Sequence, residues 1–549
     1  MSYLRNVPGT RETPQSQPIP DSGQVENSVG GYVWKVSPLT RLRRFLILGS
    51  EGGSYYAGER ELTLQNVQAL RDCDPLEAIK LIVEVSDSGR APKNDPAIFA
   101  LAHYAAHADV AVRQSALDAL PRVCRTSTHL FHFCEFVERN RGWGRSLRRA
   151  IGLWYADKTP DDLAYQVVKY RSRDGWNHRD LLRLAHPASV VSSGNPTLYV
   201  DHWHRDLFAW ITKQSHGGTL PSVVVGFEEA QRSESPKATA RLIIDYGLPR
   251  EAVKPEHLTS PDVWEALLYN GERSHGMPLT ALIRNLPTMT RVGLIAPNSR
   301  ATIEVLRRLS DAVDLKRSRV HPLQVLVAHL TYACGRSIRG SATWSPVVQV
   351  VDALDQAFYA AFGNVEPTGK RHLIALDVSG SMDSGAINGV PGLTPRVAAS
   401  AMALVQMATG DPYEVVAFTG SGAWSYSTAI MPLTLSPRQR LGDVCGEMAR
   451  LPFGRTDCAL PMLYALEHNR EVDVFSTYTD SETWAGNVHP SQALRRYREK
   501  TGIQARSVVV GMVSNGFSIA DPSDPLSLDV VGFDTATPQV ISNFSKGLV

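Results

Sequence analysis

The sequence predicts a multidomain protein: an all-α stack of HEAT-like helical repeats followed by a doubly wound α/β domain. Three observations carry this. Between about Pro38 and Gly363, apolar residues recur at i, i+3, i+4 and i+7 in segments of 10–18 residues separated by short Pro, Gly, Asp or Ser breaks. At EPTG (366–369) the texture switches to short apolar runs alternating with helical ones. A chain of 549 residues also exceeds what one hydrophobic core ordinarily organises.

Residues 1–28 are rich in Pro, Gln and Ser and read as a flexible leader. Residues 29–365 read as the helical domain. DPAIFALAHYAAHA (95–108), STHLFHFCEFVERN (127–140), SPKATARLIIDYG (235–247) and PDVWEALLYNG (261–271) are typical segments. Several open with a capping residue and a first-turn proline, as in Thr159-Pro160 and Ser260-Pro261. Helix pairs spaced roughly 35–45 residues apart suggest a curved solenoid, against the plainer reading of an irregular helical domain. Residues 366–549 read as the α/β domain. RHLIALDVSG (371–380) is a buried parallel strand ending in small polar residues, and YEVVAFTG, VDVFSTYTD and QARSVVVGMV are the further strands between helices.

Composition narrows the function classes. Lys+Arg 57 against Asp+Glu 55 gives +2, so no global polycation points to nucleic acid. Of the basic residues 45 are Arg, which suits phosphate but equally reflects genome composition. Six scattered cysteines without a C-x-x-C pair argue against a disulfide scaffold and fit a reducing, cytoplasmic compartment. No apolar run approaches a membrane span, so no membrane partner is expected. Cys124, His129, His132 and Cys134 match no common zinc spacing. No hydrolase or nucleotide fingerprint appears, and the chain reads as non-enzymatic.

Two constellations remain. The first is D-x-S-x-S, Asp377, Ser379 and Ser381, where the first α/β strand ends and where open sheets bind ligands. One carboxylate and two hydroxyls form part of the hard-oxygen shell that Mg²⁺ prefers, and Thr456 and Asp480 sit where further oxygens are needed. Taken alone, the string is also an ordinary polar turn. These residues resemble the metal-ion-dependent adhesion site of von Willebrand factor A domains. That resemblance implies Mg²⁺ or Mn²⁺ held by the five side chains, with one position open to an acidic ligand.

The second is KYRSRDGWNHRDLLRLAH (169–186). Residues 139–186 carry 11 basic against 5 acidic side chains. Arginine and lysine beside aromatics can neutralise phosphates and stack on bases, though a charge run is by itself equally a solvated helix face. Charge and helical spacing single out Arg171, His178, Arg179 and Arg183; a histidine in this stretch can equally cap a helix or satisfy a core carbonyl.

This stretch, with GGYVW (30–34), GSEGGSYY (49–56), THLF (128–131), WGR (143–145), PLTALIRNL (278–286), EPTGKR (366–371), DSET (480–483) and SNGF (514–517), closely resembles the Ro autoantigen family. The likeness spans nearly the whole chain after the leader. It implies a ring of HEAT-like repeats (the TROVE module) closed by a von Willebrand A domain. It further implies binding of small noncoding Y RNA outside the ring and of single-stranded 3′ ends of misfolded RNAs in its hole. Lys169, Arg173 and His186 fall at the family's RNA-contacting positions. RNA quality control, stress survival and partnership with the exoribonuclease polynucleotide phosphorylase follow as implications. The competing reading is a metal-dependent adhesion or scaffold protein that binds acidic protein ligands.

Overall fold

The computed structural model describes residues 12–548 except 52, 55–56, 58, 188–201, 216, 271–275, 338–339, 364, 388–392, 421–428, 449 and 452–453, with the side chains of 202–203 also left out. Leader residues 1–11 and Gly52, Tyr55 and Tyr56 of the glycine-rich string lie outside the described residues. Eleven strands are described: β1 (Val25–Glu26), β2 (Tyr32–Lys35), β3 (Ser172–Arg173), β4 (Trp176–Asn177), β5 (His372–Asp377), β6 (Tyr413–Phe418), β7 (Ile430–Leu433), β8 (Val474–Thr479), β9 (Arg506–Gly511), β10 (Phe517–Ser518) and β11 (Ser527–Val531).

The chain divides into two compact units. The helical unit comprises residues 74–89 and 93–361, and the α/β unit residues 1–73, 90–92 and 362–549. This division differs from the boundaries the sequence suggests, 28/29 and 365/366. Residues 12–35 are not a free leader but part of the α/β unit. The leader is polar because its partners are polar: Gln15 is wholly buried, and its backbone bonds Gly486 and Tyr32 at 2.9 and 2.8 Å. Hydropathy cannot reveal such contacts.

The helical unit follows the predicted periodicity. Asp95–Ala105 packs on Ser127–Asn140, Pro236–Tyr246 on Pro261–Tyr269, and Pro322–Cys334 on Val348–Ala360. Thr159 caps Pro160–Lys169 by accepting the Asp162 N–H, whereas Ser260 holds its N-cap position without a side-chain bond. A feature the helical pattern conceals is a hairpin. β3 and β4 pair antiparallel across Asp174 and Gly175, both at positive φ (52° and 82°), a turn that Asp-Gly supplies without strain.

The α/β unit is built on a six-stranded sheet of order β11-β9-β8-β5-β6-β7, parallel except for the edge strand β7, which runs antiparallel to β6. All six residues of β5 are buried, as expected for a strand covered on both faces. Leu373 and Ala375 join a core with Phe475, Val509 and Tyr497, while the helix Pro395–Met407 packs against β5 and β8. A smaller sheet, β1-β2-β10, joins the N-terminal strands to the α/β unit. Because β6 and β8 flank β5 on opposite sides, the carboxyl end of β5 is a topological switch point, where a crevice opens.

Candidate functional site

Asp377 is the last residue of β5 and stands at that switch point. One carboxylate oxygen accepts the Ser379 N–H (2.9 Å), and the other accepts the Thr479 hydroxyl from the end of β8 (2.6 Å). The Ser379 and Ser381 hydroxyls lie 3.1 Å apart. Asp480, directly after β8, accepts the Glu482 N–H (3.0 Å) and the Ser381 hydroxyl. Thr456 lies on a loop tied to both neighbours: Gly380 N–H donates to Gly454 O (3.2 Å), and Trp484 and Ala485 donate to Thr456 O (3.1 and 3.0 Å). All five predicted side chains are at most 5% exposed.

The electrostatics are those of a site short of positive charge. Burial raises the Asp377 carboxyl. Burial, then the charges of Asp377 and Glu482, push Asp480 up to about 8. Arg396, whose charge acts on Asp377, donates to Val378 O (2.7 Å) and Leu451 O (3.0 Å). Two buried carboxylates with neutral hydroxyls are the donor chemistry of a small hard divalent cation, which would relieve this repulsion. Among the described residues no three His, Cys, Asp or Glu side chains are grouped to hold a metal, so hydroxyls must complete any shell.

Sequence reasoning missed the supports of this site. Thr479 holds Asp377, and Glu482, inside the quoted DSET string, takes both Ser28 N–H (3.0 Å) and Ser28 hydroxyl (2.9 Å). Gln15 spans two loops. Its Nε2 donates to Asp457 Oδ1 (2.7 Å) and Val488 O (2.8 Å), and its Oε1 accepts the Thr483 hydroxyl. Gly31 completes the fit, since a Cβ there would come within 1.8 Å of Thr483 O. Partners more than 400 positions apart leave no local signal.

The basic stretch separates into distinct environments. Arg173 on β3 is exposed, 3.6 Å from Asp174, and Arg183 and His186 are exposed at the end of the helix His178–Ala185. Lys169 ends its helix half-buried between the rings of Tyr165 and Tyr170, each 5.3 Å away, and burial lowers its pKa. It lines a cavity of about 70 Å³ with Glu251, Asn270 and Asn285. Arg171 and Arg179 instead line an open cleft. His178 is a correction. It is 2% exposed, Nδ1 meets Tyr155 OH (2.8 Å) and Nε2 meets Tyr170 O (2.9 Å), and burial lowers its pKa to about 4. It satisfies a core carbonyl and is almost wholly withdrawn from solvent. Of the cysteine–histidine set, Cys124 and Cys134 are buried and His132 meets Asp174.

A family model described as Ro60 vWA domain matches residues 371–545, and one described as TROVE domain matches 25–219 and 217–332. A Deinococcus radiodurans protein named RNA-binding protein RO60 is 42% identical over 548 residues, covering 98% of each chain. A Caenorhabditis elegans protein of the same name is 36% identical over 613 residues, covering 98% of this chain and 92% of that one. The crystal structure of the Deinococcus radiodurans RO (RSR) protein matches with TM-score 0.65 and 40% identity, over 93% of this chain and all of that one.

Proposed function

The chain belongs to the Ro60 family, combining TROVE and Ro60 vWA domains, and from that premise we propose that it is a non-enzymatic RNA-binding protein. Its helical unit holds small noncoding Y RNA on an outer surface and admits single-stranded 3′ ends of misfolded RNAs to a central hole. The role is RNA quality control in the cytoplasm, with polynucleotide phosphorylase as a degradative partner. The observation that carries the reading is the exposure of Arg173, Arg183 and His186 on one hairpin–helix element, in a chain whose relatives are named for RNA binding. Exposed guanidiniums neutralise phosphates at little desolvation cost.

The test is direct. Arg173→Ala with Arg183→Ala should weaken binding of a structured small RNA about tenfold at 0.15 M salt. Each lost phosphate contact should reduce the slope of log K against log salt by about 0.7–0.9. Filter binding across a salt series measures both quantities, and an unchanged slope in folded protein would remove this surface from the RNA interface.

In the same reading Asp377, Ser379, Ser381, Thr456 and Asp480 hold Mg²⁺ or Mn²⁺, which when bound offers an open coordination position to an acidic partner. The pH dependence has a definite sign. Asp480's folded pKa, about 8, lies above the roughly 3.9 of a free aspartate. Its contribution to metal-free stability is therefore present at low pH and lost as pH rises toward and through about 8. A cation must displace the proton retained below that value. Affinity should fall about tenfold per pH unit as pH drops from 8 to 6. Calorimetry in buffers of different ionisation enthalpy counts the proton released; a pH-independent affinity would show that the pair is ionised without metal.

A further inference from the structure

The cleft that receives Arg171 and Arg179 is larger than its two arginines require. It is an opening of about 660 Å³, within the roughly 300–1,000 Å³ of small-molecule sites, also lined by Lys213, Trp210 and Phe227. The cations converge from separate elements: Arg171 follows the helix Pro160–Lys169, Arg179 lies in His178–Ala185, and Lys213 follows His202–Thr212. On a solvated helix face, cations are answered by carboxylates one turn away, as Arg139 is by Glu135 at 2.7 Å. Among the described residues none of these three has a carboxylate partner. The one lining carboxylate among the described residues, Glu228, accepts the Trp210 indole N–H at 2.9 Å and lies 3.7 Å from Arg232. Among the described residues Arg179 Nε is buried without a hydrogen-bond partner, an arrangement that is costly unless a ligand completes it.

The floor is aromatic. The Arg171 guanidinium lies 5.5 Å from the Phe227 ring centre, and Phe227 meets Trp210 edge-on, 6.3 Å between centroids at 90°. Convergent cations above aromatic faces suit a ligand with a negative charge beside a planar ring system.

We propose that this cleft is a nucleotide subsite that takes one unpaired RNA residue. Its phosphate lies between Arg171, Arg179 and Lys213, and its base rests against the Phe227–Trp210 floor. A duplex cannot use the site, since its bases are stacked on one another. The proposal rests on the RNA-binding reading above and adds to it Lys213, Phe227 and Trp210. The site is distinct from the cavity of Lys169, which is lined by Tyr165 and Glu251.

The full-length protein carrying Lys213→Ala or Phe227→Leu would be titrated with a fluorescein-labelled single-stranded 12-mer RNA, a blunt 12-bp RNA duplex and poly-glutamate. Circular dichroism melts establish folding. Lys213 is exposed, so its variant carries the test even if Phe227→Leu destabilises the protein. Both variants should bind the single strand about tenfold more weakly and the duplex within twofold of the parent. Lys213→Ala should flatten the single-strand salt slope by about 0.7, and Phe227→Leu should leave the slope unchanged because it removes stacking, not charge. Parent-like single-strand affinity in Lys213→Ala overturns the subsite alone. A parent that binds neither RNA overturns the RNA reading and the subsite with it. Poly-glutamate that competes as well as RNA at equal charge, with the same loss in both variants, assigns the cleft to acidic protein and overturns the proposal.

Discussion

Asp377→Asn will abolish divalent-cation binding by the α/β unit, a loss of roughly 100-fold or more in affinity, while RNA affinity stays within twofold of the parent. The amide keeps the shape: its oxygen still accepts the Ser379 N–H, and its NH2 replaces the acceptor at Thr479 by donating to that hydroxyl oxygen, so both contacts, at 2.9 and 2.6 Å in the parent, need not be lost. What disappears is charge. Ser379, Ser381 and Thr456 offer only neutral oxygens, and Asp480 alone is a poor match for a small cation that dehydrates reluctantly. The metal-free fold should not weaken, because removing one of two mutually repelling buried carboxylates relieves the other. Mn²⁺ calorimetry and melting in chelator, run beside RNA titrations, measure all three quantities. Parent-like metal affinity would show that the cation site is misassigned; lost RNA binding in a folded variant would contradict the division of labour between the units.

Arg44→Ala is expected to cost about 3–5 kcal/mol of α/β-unit stability. Arg44 lies on the helix Pro38–Leu48 and is 0% exposed. Its guanidinium donates to Asn515 Oδ1 (2.9 Å), Phe517 O (2.7 Å) and Asp529 Oδ1 (2.6 Å). It also explains Gly511 at the end of β9, where a Cβ would come within 2.8 Å of Arg44 Nη2. The penalty comes less from the bonds themselves than from what remains: a largely buried Asp529 carboxylate whose other partner among the described residues is Ser518, and the Asn515 and Phe517 carbonyls left without their donor. Arg44→Met, which restores volume but no charge, should recover less than half of the loss. Hydrogen exchange of β9 and β11 under increasing urea is the measurement. A cost below about 1 kcal/mol would mean that water enters and replaces the guanidinium.

What could be read from the sequence divides by the range of the interactions involved. HLIALD reads as a fully buried strand because parallel strands are covered on both faces, and all six residues are buried. The positions of Asp377, Ser379 and Ser381 then follow from strand end and spacing. The Asp174-Gly175 hairpin was legible in principle, as a two-residue turn of standard chemistry, but it lay hidden inside a charge pattern that matched a helix. His178 shows the limit of charge counting: a histidine among arginines is indistinguishable from a core histidine until its Tyr155 and Tyr170 partners are seen. Gln15 and Arg44 could not be found at all, because a polar residue bonded to loops more than 400 positions away resembles any exposed polar residue.

The α/β unit is discontinuous in sequence, and the ribosome makes its N-terminal and C-terminal segments at different times. Residues up to Cys73 emerge first, and the partner segment from Phe362 onward follows only after the helical unit is complete. At roughly 5–20 residues per second the interval lasts about 15–60 s. Throughout it the helix that carries Phe45, Leu46, Ile47 and Leu48, all buried once folding is complete, lacks β11, against which it packs. The residues before that run carry the protection: Arg41, Arg43 and Arg44 supply three positive charges within four positions of chain, the gatekeeper pattern that keeps an unpaired apolar run from associating. Arg44 thus serves the chain twice, as a repellent while the strands are missing and as their ion-pair anchor when they arrive.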